Sequence, residues 1–266
     1  CREPSAAPFD ERTMGAAGNA PAVVENEGFT AYGMAFSIPA LDAETMRGYL
    51  YSKTKRNREF FAQCLAPLAR QAAQADLPLR RKAALYGLLV IETHRANGIG
   101  YCWGGDMLDC DPDPTARPGV GYDCSGYAQS VYQAILPESV FADSIFRINA
   151  RDFMQLGREV APVRPLDSEF ERAAREAARP GDLFATPEGH VCMLGEHPLN
   201  GSPIVLSNGE YWIGLRDWMA SQGGKAYGIQ SAFDAADALI EPRGASFFAG
   251  KILEVEACRI GAETFL

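Results

Sequence analysis

Apolar residues recur at near-helical spacing from residue 42 onward, where Met46, Leu50, Phe60, Phe61, Cys64, Leu65 and Leu68 share a pattern that Pro67 breaks or kinks. A second helix is predicted over residues 76–97. Asp76 suits its cap, Pro78 its first turn and Gly98 its end, with Ala84, Leu85, Leu88, Leu89 and Ile91 as the core face. A third helix starts at Cys124, where Tyr127, Ala128, Val131, Tyr132 and Ile135 form a stripe that stops at Pro137. Residues 166–179 suit a further helix, with Ser168 and Glu171 spaced as a capping box. After residue 180 the period shortens. Residues 182–186, 190–195, 203–207 and 251–257 are short, apolar or alternating, and bounded by Gly, Pro and Asn turns, which predicts strands. Helices first and strands later point to an α+β fold with an antiparallel sheet.

The chain has 266 residues and a formal net charge of -9, from 25 Lys+Arg against 34 Asp+Glu, which argues against a general nucleic-acid binder. That length buries roughly three quarters of the surface an unfolded chain exposes, so no disulfide or metal staple is required. Residues 53–95 hold nine basic and three acidic residues, making this stretch +6 and the remainder -15. The ordinary reading of such a run is the solvated side of helices. No apolar run approaches the ~20 residues that span a bilayer. Residues 2–28 mix Ala, Gly, Pro and acids without apolar periodicity, as a tether or arm does. The first residue is Cys1, as in a mature bacterial lipoprotein. A lipid anchor at Cys1 is one reading of this start, and an ordinary N-terminal arm is the other.

Chemistry concentrates between residues 99 and 208. Cys124 falls at a helix N-terminus, where unpaired N–H groups and the helix dipole favour thiolate over thiol. Asp123 is placed to cap that helix or to meet a cationic group of a ligand. A thiol nucleophile needs a proton acceptor, and the histidines are His94, His190 and His197. His94, near a helix end, and His197, in a Glu-His-Pro turn, suit exposed or capping roles. His190 opens a strand after two turn signals, so a sheet holds its ring near the sheet's edge. It is the best candidate base. A third polar group commonly orients such an imidazole. Only one of Ser207 and Asn208 can face the ring from a regular strand, and Asn208 is preferred for its amide carbonyl, with a simple turn role as the alternative.

These residues resemble a family. Tyr101-Cys102-Trp103-Gly104-Gly105, Asp123-Cys124-Ser125-Gly126, Arg147-Ile148-Asn149-Ala150, Arg179-Pro180-Gly181-Asp182-Leu183 and Gly189-His190-Val191 look like the NlpC/P60 cysteine peptidases, in that family's order, over roughly residues 82–215. The resemblance implies a papain-like core whose active-site helix packs on an antiparallel sheet, here preceded by a helical N-terminal region. It divides the chain into an arm (residues 1–28), that helical region (29–80) and a catalytic domain (81–266). It implies cleavage of peptidoglycan stem peptides, commonly between γ-D-glutamate and diaminopimelate, in the bacterial cell envelope or after secretion, with no cofactor. It makes Cys124 the nucleophile, His190 the base and Tyr101 a hydroxyl near the thiol. Asp123 and Ser125 become contacts to the substrate's amine and carboxylate. Two further readings keep other functions open: an acyltransferase or deamidase using the same dyad, and an occluded peptidoglycan-binding or toxin module.

The chain departs from the family in places. Residues 106–122 form a longer connection, expected to leave and return beside the nucleophile as a cleft wall or lid. Its acids Asp109, Asp111 and Asp113 alternate as in a calcium loop, but Pro114 and Val120 stand where such a loop needs glycine and an acid, so no metal is expected. Cys192 replaces a usual small glycine, and the third catalytic position lacks the common histidine. Cys102 and Cys110 are spaced to close a disulfide in an exported protein, whereas Cys64, Cys192 and Cys258 suit buried thiols.

Overall fold

The structure is a computed structural model that describes residues 23–53, 56–106, 119–142, 147–207 and 211–241. It opens on a hairpin of β1 (Val23–Ala31) and β2 (Met34–Leu41), closed by Tyr32 and Gly33 with φ of 52° and 74°. Positive φ at both central residues matches the twist that two-residue hairpin turns need. The hairpin lies across the boundary drawn at residue 28 between the expected arm and the expected helical region of residues 29–80, where strands stand before the first helix. Phe36 and Ile38 alternate with exposed Ala35 and Ser37, so one face of the hairpin enters the core.

Helices follow. In α1 (Ala43–Leu50) the Asp42 carboxylate caps the first turn through the Glu44 and Thr45 N–H groups. The run around Pro67 divides into α2 (Asn57–Phe60), a π-helical turn over Phe61–Leu65 and α3 (Ala66–Gln74). Proline has no N–H to continue the ladder, and the break falls just before it in the first turn of α3. Helix α4 (Leu79–Ala96) starts later than expected, with Pro78 in the capping position and no side-chain cap. The proline holds Leu77 out of helical backbone, so Asp76 does not cap this helix. Helix α4 is buried around most of its circumference and lies between β2, α3 and the sheet. Most basic side chains of residues 56–95 do meet solvent, but Arg80 is buried.

Helix α5 (Cys124–Ile135) is followed by α6 (Ala150–Leu156), β3 (Arg158–Pro165) and α7 (Ser168–Glu176). Asp167, not Ser168, caps α7, accepting from the Glu169 and Phe170 N–H groups; the capping residue is one earlier than the sequence pattern suggested. The rest is β4 (Leu183–Thr186), β5 (His190–Glu196), β6 (Pro203–Ser207), β7 (Tyr211–Gly214), α8 (Leu215–Ser221) and β8 (Ala226–Ser231). The sheet order is β3-β8-β4-β5-β6-β7, antiparallel throughout, so the fold is α+β. The strand expected over residues 251–257 lies outside the described residues.

Alternation along the strands builds two cores. Leu183, Ala185, Val191, Met193, Ile204 and Leu206 face the α4–α5 side, while Phe184, Cys192, Leu194, Val205, Tyr227 and Ile229 face α7 and α8. The first core continues into the N-terminal hairpin and α1–α3, so those elements and α5 share one apolar interior. Among the described residues no helix is long and apolar enough to cross a membrane.

His94 differs from its expected exposed role. It is 1% exposed, with its ring 5.9 Å from Phe60 and 5.1 Å from Tyr122, because the loop entering α5 folds over the end of α4. His197 does take a turn role, accepting from the Leu199 N–H at 3.2 Å.

Candidate active site

Three backbone segments stack at the start of α5. A β-carbon on Gly105 would lie 2.0 Å from the Gly121 carbonyl oxygen, and one on Gly126 would lie 1.9 Å from the Gly105 carbonyl oxygen. Only glycine permits this approach. The Asp123 N–H donates to the Gly105 carbonyl at 3.1 Å, so the long connection does leave and return beside Cys124. Residues 107–118 of that connection lie outside the described residues. Its return is clamped from the N-terminal part of the chain: buried Asn57 accepts from the Gly121 N–H at 2.7 Å and donates to the Gly121 carbonyl at 2.9 Å.

Asp123 caps α5 as expected, accepting from the Gly126 N–H at 2.7 Å and the Gly104 N–H at 3.0 Å. Its carboxylate is also ion-paired with Arg147, which reaches Asp106 at 3.3 Å, the Ser125 hydroxyl at 3.0 Å and the Gly105 carbonyl at 3.2 Å. Ser125 donates to Asp123 at 3.1 Å. Asp123 and Ser125 thus line the site as parts of a charge-assisted network. Arg147, quoted in a motif but given no role by sequence reasoning, is its centre. The signal that finds it is three-dimensional, since its acidic partners lie 24 and 41 residues away in sequence.

Cys124, Tyr101, Ser125 and Arg147 open onto a cleft of about 520 Å³, whose rim also carries Trp103 and Glu188. The Cys124 sulfur lies against the start of β5, with the Gly189 carbonyl oxygen at 4.0 Å and the Val191 N–H directed at it. These two backbone groups flank His190. The His190 ring makes its aromatic contact with Tyr227, 6.4 Å between centroids and nearly perpendicular. Among the described residues no hydrogen bond joins the sulfur to the imidazole. Alternation puts His190 and Ser207 on the α7–α8 face of the sheet, along with Cys192 and Val205. Asn208 lies outside the described residues, as does Cys1.

The electrostatics differ from the thiolate expected at a helix start. Burial, and after it the neighbouring Asp123 carboxylate, raise the Cys124 thiol above its ordinary range; the Val191 and Ser125 N–H groups and Arg147 oppose them without reversing the shift. Burial and then Lys225 lower His190, while Asp123 pulls the other way. Both shifts favour the neutral forms, thiol and imidazole, over an ion pair. Alkylation of Cys124 by iodoacetamide is accordingly expected to keep rising with pH beyond the range where a free cysteine levels off. A plateau at mildly acidic pH would contradict this electrostatic balance.

Among the described residues no three His, Cys, Asp or Glu side chains gather as a metal site, and Asp109, Asp111 and Asp113 lie outside them. Cys102 is buried, its N–H tied to the Tyr122 carbonyl at 3.1 Å and its side chain packed against Gly121, while Cys110, the disulfide partner expected for it, lies outside the described residues. Cys64 and Cys192 are buried thiols as expected, and burial pushes Cys64 up to about 12. A scan against family models finds no match to this chain, and searches of curated proteins and of solved structures find none either.

Proposed function

We propose that this protein is a cysteine peptidase of NlpC/P60 type with a papain-like core, hydrolysing amide bonds in peptidoglycan stem peptides at the γ-D-glutamyl-diaminopimelate linkage. The observation that carries the reading is the placement of Cys124: it starts a helix packed on an antiparallel sheet, opens onto a cleft, and sets its sulfur against the backbone on both sides of His190. The five motif segments of the sequence add the choice of substrate. A cell-wall substrate would place the protein in the cell envelope or outside the cell.

In this reading Cys124 attacks the amide carbonyl, and its proton passes to His190. The Cys124 N–H at the helix start and the Tyr101 hydroxyl stabilise the oxyanion. His190 then protonates the leaving amine as the C–N bond breaks, and water hydrolyses the thioester, returning the thiol. The Asp123–Arg147–Ser125 network holds the nucleophile's helix and one wall of the cleft in place. No cofactor enters these steps.

Mass spectrometry of muropeptides after digestion tests the reading: new termini at γ-D-glutamate and diaminopimelate are expected with wild-type protein. Intact muropeptides would overturn it, and amide exchange with an added amine in place of hydrolysis would make the protein an acyltransferase. His190→Ala is expected to lower kcat by about 10²–10⁴-fold, the range for losing a general base, while His197→Ala leaves kcat within a few fold. Because burial lowers the His190 pKa, the imidazole stays neutral, and activity persists, below the ordinary histidine value of 6.5. An acid limb centred above 6.5 would assign the base elsewhere.

A further inference from the structure

The lining of the cleft carries two side chains that the proposed mechanism does not use. Arg151, exposed in α6, and Glu188, exposed in the turn between β4 and β5, both line the cleft that Cys124 opens onto. They are held to the same turn. The Arg151 Nε donates to the Pro187 carbonyl at 2.9 Å, which leaves the outer edge of the guanidinium directed away from that bond. The Glu188 carboxylate accepts from the Thr186 hydroxyl, and its N–H donates to the same oxygen at 3.4 Å. Among the described residues neither Arg151 nor Glu188 takes part in a salt bridge, with each other or with any other side chain. By contrast, Arg147 in the same lining is paired with Asp106 and Asp123.

Two opposite charges fixed to one turn yet not paired with each other form a receptor for a ligand carrying both charges close together. We propose that Arg151 and Glu188 form a subsite for a zwitterionic α-amino acid terminus, with Arg151 taking the carboxylate and Glu188 the ammonium. A carboxylate alone would meet Glu188 unfavourably, and an ammonium alone would meet Arg151. The geometry of the guanidinium suits a planar carboxylate, to which it presents parallel donors. This inference rests on the peptidase reading for its substrate: the distal centre of diaminopimelate carries such a terminus, whereas lysine at that position carries only the ammonium.

Two experiments test it. The first compares L-Ala-γ-D-Glu-meso-diaminopimelate with L-Ala-γ-D-Glu-L-Lys as substrates. Wild-type kcat/KM is expected to favour the diaminopimelate peptide, Arg151→Gln to raise KM for that peptide about tenfold with kcat nearly held, and the lysine peptide to be little affected. The absence of a wild-type preference, or equal losses on both peptides, would overturn the subsite. If the wild type cuts neither peptide, the peptidase reading fails and the second experiment still judges the charges. It measures labelling of the Cys124 peptide by 2-sulfonatoethyl and 2-trimethylammonioethyl methanethiosulfonate. Arg151→Gln is expected to lower the anionic-to-cationic rate ratio several fold and Glu188→Gln to raise it, with Arg172→Gln on the outer face of α7 as a neutral control. Unchanged ratios in both cleft variants would sink the proposal.

Discussion

Cys124→Ala is expected to reduce amide hydrolysis by about 10⁴-fold or more while the protein stays folded. The reaction as proposed passes through a thioester, and no neighbouring side chain replaces the sulfur: Ser125 is held by Asp123 and Arg147, and Tyr101 is a phenol. The structural loss is small. Removing one sulfur atom from a residue that is 7% exposed at the wall of a cleft changes stability by about 1 kcal/mol, the size of an ordinary substitution. Muropeptide digestion and a thermal melt on the same preparation separate the two effects. Turnover retained in a folded Cys124→Ala protein would show that another nucleophile does the chemistry.

The largest expected loss of stability lies at the end of β4 away from His190. Arg80, at the start of α4, pairs with Asp182 at 2.6 Å and with Asp237 at 2.5 Å, and stacks over Phe233 at 4.2 Å. Ser231 donates a further hydrogen bond to Asp182 at 2.6 Å. The Asp182 side chain is 1% exposed, and burial raises its pKa even with Arg80 and Ser231 favouring the charged form. Arg80→Met keeps much of the apolar contact but strips the carboxylate of its cation. The expected cost is about 3–5 kcal/mol at neutral pH, the usual penalty for breaking a buried pair from one side. The sign of its pH dependence follows. With the folded-state pKa above the unfolded one, the penalty is largest when the unfolded chain's aspartate is ionised, and it fades as pH falls and the folded carboxyl takes up a proton. Urea denaturation across that range checks both; a variant as stable as wild type at neutral pH would mean Asp182 relaxes to solvent.

The sequence made α5 legible because its apolar stripe is long, regular and bounded by Asp123 and Pro137. It made β4, β5 and β6 legible because turn residues bracket each of them. The hairpin of β1 and β2 escaped because its turn is Tyr32-Gly33 rather than a familiar Asn-Gly, and because β1 was read partly as a tether. Strand β3 was hidden by Pro162 and Pro165, which a ladder tolerates at the sheet edge that β3 occupies; its register shifts on either side of Ala161. Within the site, local signals picked out Cys124, its capping Asp123 and the strand that begins at His190. They carried nothing about Arg147, whose role comes from partners brought together only by the fold, nor about the direction of the His190 ring. The thiolate expectation failed for a related reason. A helix dipole is a local property, while burial and the Asp123 charge that outweigh it at Cys124 depend on everything packed around the helix start.

The Asn57 clamp on Gly121 bears on how such a protein can change over generations. Both polar groups of the Gly121 backbone, three residues ahead of Cys124, are satisfied by one side chain from the segment before α4. Exchanging that segment for another module would orphan a buried donor and a buried acceptor at once. The part of the chain that carries Cys124 is therefore not a cassette that shuffles freely between partners. Its inheritance is tied to the segment that carries Asn57, and drift at position 57 is constrained by a backbone turn more than sixty residues later in the chain.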